Sequence, residues 1–469
     1  MVTRRLWYLA LSPLALASLF GSESFNDIPQ GRELYTQWCV GCHGAKHEGG
    51  LGGSLVNDPF KQVGRTIGFL EYVKEGNLEV GMPSFEAMLT DNQILSIAHY
   101  IAHIRKNGID APLEPKILAQ QHIEEGKGSH DFAVEEVFKL SGTPWGIDFF
   151  PGKSGGLITH REGDLSRFEN DRVVGTIRNV PPVRTGGQAG MMEVAFHPEY
   201  DTNGWIYLAY SHESEAAGMT RVVRGRIEDD RWVDQEVIFQ AQQEHYLTSK
   251  QHWGTRIVFT DGYLFFGIGD RGRMNDAQDL SKPNGKIHRV YDDGRIPKDN
   301  PFSGDRKALP SIWAYGVRNP QGLDLHPLTG ELWESEHGPR GGDEINVIER
   351  GKNYGWPEIT YGINYNGTPI SDRQRAPGME QPRHYWTPSI AVCGMDFYEG
   401  SSFPNWKYNL FAGGLRSNEL HRLVIEDGEV VESEIILKDE GRIRDVASGP
   451  DGALYLVMNG PSRLVRLVP

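Results

Sequence analysis

Cysteine is scarce in this chain, with three among 469 residues, so no disulfide framework can hold it together. Basic clusters are scarce as well. No Lys/Arg run is longer than a pair and the formal charge is −15, which sets nucleic acid aside as a partner. The apolar run from Leu6 to Phe20, broken by Ser12-Pro13, falls short of the about 20 residues a membrane span needs. Apolar mass is not lacking. A content of 38% with 11 Trp, 18 Tyr and 19 Phe is enough for sizeable cores and excludes wholesale disorder. The length points to two domains, and 56 Gly with 27 Pro and no collagen-like period point to many turns.

The first residues, Met1-Val-Thr-Arg-Arg5, the short apolar run and the small residues near Ala15-Leu-Ala17 form a secretory signal pattern over residues 1–22. Export to the periplasm is the expectation, with membrane anchoring only if the signal stays uncleaved.

Two of the three cysteines lie in Cys39-Val-Gly-Cys42-His43, the attachment pattern of a c-type haem. Two thiols add to the porphyrin vinyl groups and His43 supplies the proximal nitrogen. Met82, in Gly81-Met82-Pro83, offers the sixth ligand. Thr90-Asp-Asn-Gln93 predicts a capping box, opening a helix with Ile94, Ile97, Ala98, Ile101 and Ile104 on one face. Met88 reads as packing, and His47, His99 and His103 as surface or helix residues. The order of helix, CxxCH, glycine-rich loop, Met-Pro and closing helix resembles a small class I cytochrome c over residues 26–108. Residues 109–130, with prolines and no periodicity, read as a linker.

From residue 131 to 469 helical periodicity gives way to repetition. Six times an alternating apolar run meets a turn and a second apolar run, as in Gly146-Ile-Asp-Phe-Phe150 returning at Gly156-Leu-Ile-Thr159. The spacing of roughly 45 to 75 residues fits one four-stranded blade plus variable loops, and predicts an all-β six-bladed β-propeller behind a small all-α domain. The fourth hairpin, Gly322–His326 with Glu331–Ser335, is flanked by Arg318, Asn319 and Gln321 before it and His337, Gly338, Pro339, Asp343 and Glu344 after it. A fork-shaped cation, two amides, an imidazole and a Gly-Pro turn suit an anionic, oxygen-rich ligand and a hard metal ion.

Across the propeller, Gly190-Met-Met-Glu-Val-Ala-Phe-His-Pro198, His252-Trp-Gly-Thr-Arg256, Ile268-Gly-Asp270, Arg318-Asn-Pro-Gln-Gly322, Glu336-His-Gly-Pro339, Asp343-Glu-Ile-Asn346, Asn353-Tyr-Gly-Trp-Pro357 and Arg442-Ile-Arg-Asp445 resemble the soluble aldose (glucose/sorbosone) dehydrogenases that use pyrroloquinoline quinone, PQQ. The resemblance implies PQQ and Ca²⁺ in a funnel on the propeller axis. It makes His252 the base for the sugar C1 hydroxyl, while the C1 hydrogen leaves as hydride to the quinone. Asp270 orients that histidine, and Arg318 faces the charge developing on the quinone oxygen. It gives Asn319, Gln321, His337, Trp386, Arg416, Arg442 and Arg444 to the cofactor, Gln188 to the sugar, and the carbonyls of Gly338 and Pro339 to Ca²⁺. His337 replaces a Gln of the best-known branch, and Arg416 a Lys. Cys393 carries no role and reads as a buried small residue.

The function expected is oxidation of an aldose at C1 to its lactone, with electrons passed to the covalent haem c and on to an external acceptor, a soluble or membrane cytochrome or an oxidase. Two alternatives remain at this level: a Ca²⁺-dependent propeller lactonase, and a non-catalytic sugar-binding electron relay.

Overall fold

The computed structural model describes residues 27–55, 66–77, 81–107 and 132–469. The chain divides into two compact units, Met1–Gln121 and His122–Pro469. The expected signal and linker lie outside the described residues.

In the first unit the helices Asp27–Trp38, Val40–His43, Thr66–Glu75 and Asp91–Asn107 enclose a small core. The capping box forms: the Thr90 backbone N–H donates to Gln93 Oε1 at 2.9 Å, and the Gln93 N–H to Thr90 Oγ1 at 3.4 Å. The apolar face it opens is buried at Ile94, Ile97, Ala98, Ile101 and Ile104. The first helix can reach the last because residue 31 is glycine; a Cβ there would lie 1.9 Å from the Ser96 carbonyl oxygen. Met88 packs against this core. His47 corrects the expectation of a surface residue. It is buried, its ring is stacked 4.1 Å from that of Tyr35, and burial pushes its basicity down to about 4.

The second unit is six four-stranded antiparallel sheets, the blades of the expected propeller. Their inner strands are Pro144–Phe149, Met191–Phe196, Ile257–Thr260, Pro320–Leu325, Val392–Phe397 and Arg442–Ser448, and each packs against its neighbours around the ring. The sixth blade is completed by the strand Ala133–Lys139, which pairs with Arg463–Val468. The two ends of the propeller unit are thus joined in one blade by main-chain hydrogen bonds.

Aspartates of the inner strands lock blade to blade, two of them in a Gly-apolar-Asp pattern. Asp148 accepts from the Phe196 N–H at 2.7 Å and Asp324 from the Phe397 N–H at 2.7 Å, and Asp445, in Ile443-Arg-Asp445, accepts from the Ile147 N–H at 3.0 Å. The glycine is required where strands converge; a Cβ on Gly394 would meet Asp445 Oδ1 at 2.0 Å. At the centre Arg256 is buried and ties several blades together. Its Nε donates to the Gln321 carbonyl at 2.7 Å, its Nη2 to the Arg444 carbonyl at 3.0 Å, and it pairs with Glu193 and Asp445.

Candidate active site

The loop before blade 3 and the loop after its second strand bring His252 and Asp270 together. His252 Nδ1 lies 2.5 Å from Asp270 Oδ1, which fixes the proton on Nδ1 and leaves Nε2 as the basic nitrogen. His252 holds a left-handed backbone, φ +50°, a conformation strained for a residue with a side chain. Its N–H donates to Gln188 Oε1 at 2.6 Å, which pins the strained residue in place. Burial first, then the Arg318 charge, lower the imidazole basicity against the opposing pull of Asp270, so the ring is neutral at pH 7. Asp270 is fully buried. Burial would raise its carboxyl, but the charge and hydrogen bond of His252 and the charge of Arg318 outweigh that and hold it below the usual range.

Two further donors stop the carboxylate rotating. The Gly272 N–H donates to Oδ1 at 2.7 Å and the Trp356 indole Nε1–H to Oδ2 at 2.7 Å. The Arg318 guanidinium carbon stands 5.2 Å from the Trp356 ring centroid. Sequence reasoning assigned Trp356 no role. Its one signal was the segment Asn353-Tyr-Gly-Trp-Pro357, where a large aromatic sits in a Gly-Pro turn.

Arg318 Nη1 donates to the carbonyls of His337 and Gly338, both at 2.7 Å. The turn that carries those carbonyls is braced from behind by Asp343, which accepts from the Gly338 N–H at 2.9 Å and the Val392 N–H at 3.0 Å. Ser389 Oγ donates to the Pro339 carbonyl at 3.1 Å, and the Ser389 carbonyl accepts from Arg416 Nη1 at 3.4 Å. Gly338, Pro339 and Arg416 therefore form one hydrogen-bonded chain. Among the described residues no group of three or more His, Cys, Asp or Glu could hold a metal ion; the carbonyls of Gly338 and Pro339 are oxygen donors of the kind Ca²⁺ takes.

His337 shows that the site is shared by several blades. It is pushed well below its ordinary basicity by burial, then by the charges of Arg318, Arg444, His252 and Arg442. Residues from the third, fourth and sixth blades thus act on one imidazole. Arg444 stacks 4.3 Å from the Trp145 ring and is lowered to about 9, by burial first and then by the charge of Arg442, with Arg161 and Arg256 behind it. The nitrogens Arg318 Nε, Arg444 Nε and His337 Nε2 are buried without a hydrogen-bond partner. Buried guanidinium N–H groups are costly to leave unmet. A planar ligand with several carboxylates answers both the open donors and the crowded positive charge, so these residues fit the tricarboxylated quinone expected from the sequence.

The amides fall in the same shell. Asn319 Oδ1 accepts from the Gly254 N–H at 2.9 Å, and Gln321 Oε1 lies 3.6 Å from the Cys393 thiol, which is fully buried as expected. Trp386 ends the outer strand of blade 4; its ring packs edge-on against His384 and His421, and its carbonyl accepts from the Gly342 N–H at 2.8 Å, in the turn that follows Gly338 and Pro339.

In the first unit, Cys39 and Cys42 are free thiols, Cys39 at the N-cap of the short helix Val40–His43 and Cys42 within it. His43 Nδ1 lies 2.8 Å from the Gly53 carbonyl, a bond that presents Nε2 to a metal. Gly52 allows this approach, since a Cβ would be 2.6 Å from the ring. Met82 sits in a bridge with Asn77 and packs against the core. The donor set fits a covalent haem c with His and Met ligands.

A family profile described as Glucose / Sorbosone dehydrogenase matches residues 141–466, and one described as Cytochrome C oxidase, cbb3-type, subunit III matches residues 26–101. The aldose sugar dehydrogenase YliI of Escherichia coli K12 is 41% identical over 336 residues, 70% of this chain and 90% of its own length. The apo crystal structure of the soluble aldose sugar dehydrogenase from Escherichia coli superposes with a TM-score of 0.69 at 39% identity, covering 72% of this chain and all of that one. The PQQ-bound aldose sugar dehydrogenase from Streptomyces coelicolor superposes with a TM-score of 0.60 at 26% identity, covering 72% and 98%. The sequence, the six blades and the residues gathered by His252 place the chain in the glucose/sorbosone dehydrogenase family, joined to an N-terminal cytochrome c domain of the cbb3 subunit III type.

Proposed function

We propose that the chain is a periplasmic PQQ- and Ca²⁺-dependent aldose dehydrogenase of the glucose type. It oxidises an aldose at C1 to the lactone and passes the electrons through its own haem c to an external cytochrome or oxidase. The observation that carries this reading is the His252–Asp270 pair, a neutral base held beside Arg318, with the charges of Arg318, Arg442 and Arg444 gathered around His337.

PQQ bound there supplies a two-electron acceptor, with Ca²⁺ to polarise it. The chain's own residues do the rest. His252 Nε2 takes the proton of the C1 hydroxyl, and Asp270 stabilises the imidazolium that results. Arg318 sets a fixed positive charge where negative charge develops. The carbonyls of Gly338 and Pro339 would hold Ca²⁺, and Arg416, Arg442 and Arg444 would meet the carboxylates of PQQ. Gln188 holds the backbone of His252 and borders the sugar. In the other unit Cys39, Cys42, His43 and Met82 would hold the haem.

The test uses the purified full chain with PQQ and Ca²⁺, following haem absorbance as a panel of aldoses is added. Haem reduction that needs sugar, PQQ and Ca²⁺ together is the expected result. Haem that stays oxidised across the whole panel would sink the proposal.

A further inference from the structure

Arg161 stands beside this site with no role in the reaction as derived. It follows the blade 1 strand Gly155–His160, and its Nη1 donates to the Gly187 carbonyl at 3.4 Å. The next residue, Gln188, is the one whose Oε1 holds the His252 N–H. On its other side Arg161 is close enough to Arg444 to add to the positive charge acting on it. The guanidinium therefore borders both the support of the catalytic histidine and the anion cradle.

Its carboxylate neighbour is a poor match. Glu162 lies 3.8 Å from Nη2, and Glu162 Oε2 is already engaged by the Thr143 N–H at 2.9 Å. The side chains are 37% and 44% exposed, so the pair is wet and weak. A half-exposed fork of donors next to the sugar-facing amide, on a chain of net charge −15, is placed to meet an anion arriving with the substrate.

We propose that Arg161 reads a negative charge on the substrate, so that the preferred sugar is an aldose bearing a carboxylate or phosphate remote from C1. This rests on the dehydrogenase reading above and leaves the C1 chemistry unchanged. A neutral aldose lacks the group that would replace water on this guanidinium.

The experiment uses the full chain loaded with PQQ and Ca²⁺ and compares kcat/KM for glucose, glucuronate and glucose 6-phosphate. The expected result is a ratio of anionic to neutral sugar above unity that shrinks with added salt. R161Q lowers that ratio about tenfold, the worth of one charge-assisted hydrogen bond, while R161K keeps most of it. Whichever anionic sugar carries the effect separates carboxylate from phosphate. A wild-type ratio at or below unity for both, or a ratio that R161Q does not move, overturns the proposal. So does an R161Q variant whose one defect is weaker PQQ binding by titration, since the cation would then belong to the cofactor. Failure to oxidise any sugar sinks the dehydrogenase reading instead. The role of Arg161 is then read from equilibrium binding of glucuronate and glucose 6-phosphate to the full chain, and binding indifferent to R161Q overturns it.

Discussion

The indole of Trp356 donates to the Asp270 oxygen that His252 does not use, at 2.7 Å across 86 residues of sequence. The carboxylate is held at both oxygens, and the histidine bound to it can present only Nε2 to a substrate. Removing the indole donor in W356F makes Asp270 more basic and strengthens its hold on the imidazolium. His252 lies below the ordinary histidine value in the native protein. The acid limb of kcat/KM, where protonation of His252 removes the base, therefore moves to higher pH in W356F. A pH–rate profile reads the shift; a limb that stays put would mean that Trp356 only fills space.

H252Q leaves the pocket without its base, and the expected loss in kcat is about 10²- to 10⁴-fold with PQQ binding retained. D270N keeps the shape of the pair but no longer favours the imidazolium or the Nδ1–H tautomer, and its loss falls in the same direction. Single-turnover reduction of the PQQ-loaded chain separates these effects from product release.

Arg444 is the place where binding and stability pull apart. Burial and the neighbouring Arg442 oppose its charge in the ligand-free protein. R444M is expected to weaken PQQ binding by on the order of a hundredfold. The same variant without PQQ melts no lower than the native chain, because a buried, crowded cation is gone. Calorimetric titration and thermal unfolding together check the pair of signs.

Arg256 has the opposite profile. Its loss in R256M strands Glu193 and Asp445 without their cation, a penalty of about 3–5 kcal/mol for a buried pair broken from one side. Urea unfolding of the full chain should show it as an early transition of the propeller, while the haem unit keeps its spectrum.

In the proposed haem outlet Met82 is the sixth ligand. A thioether raises the potential of a His-ligated haem c, so M82H lowers the midpoint, which potentiometric titration of the haem band reads directly.

Much of this was legible because its signals are short-range. The hairpins alternate with a period of two residues, the capping box spans Thr90 to Gln93, and the haem cysteines and His43 are contiguous. The strands Pro320–Leu325 and Leu332–Glu336 fall within two residues of the expected hairpin. Trp356 and Arg256 were not legible, since their partners lie 86 and 189 residues away and neither residue type announces a partner. His47 was misread because a polar residue in a glycine-rich stretch looks solvated. Its stacking on Tyr35 and its tilted contact with Tyr100, at 5.3 Å, appear only once the helices are packed.

The pairing of Ala133–Lys139 with Arg463–Val468 also sets a timetable. During synthesis the haem-binding segment is complete hundreds of residues before Arg442 and Arg444 emerge, and the circle of blades has no partner for its opening strand until then. For the proposed holoenzyme maturation is thereby ordered: a quinone can be captured only by a finished polypeptide, whereas thioether bonds to Cys39 and Cys42 can be made on one still incomplete.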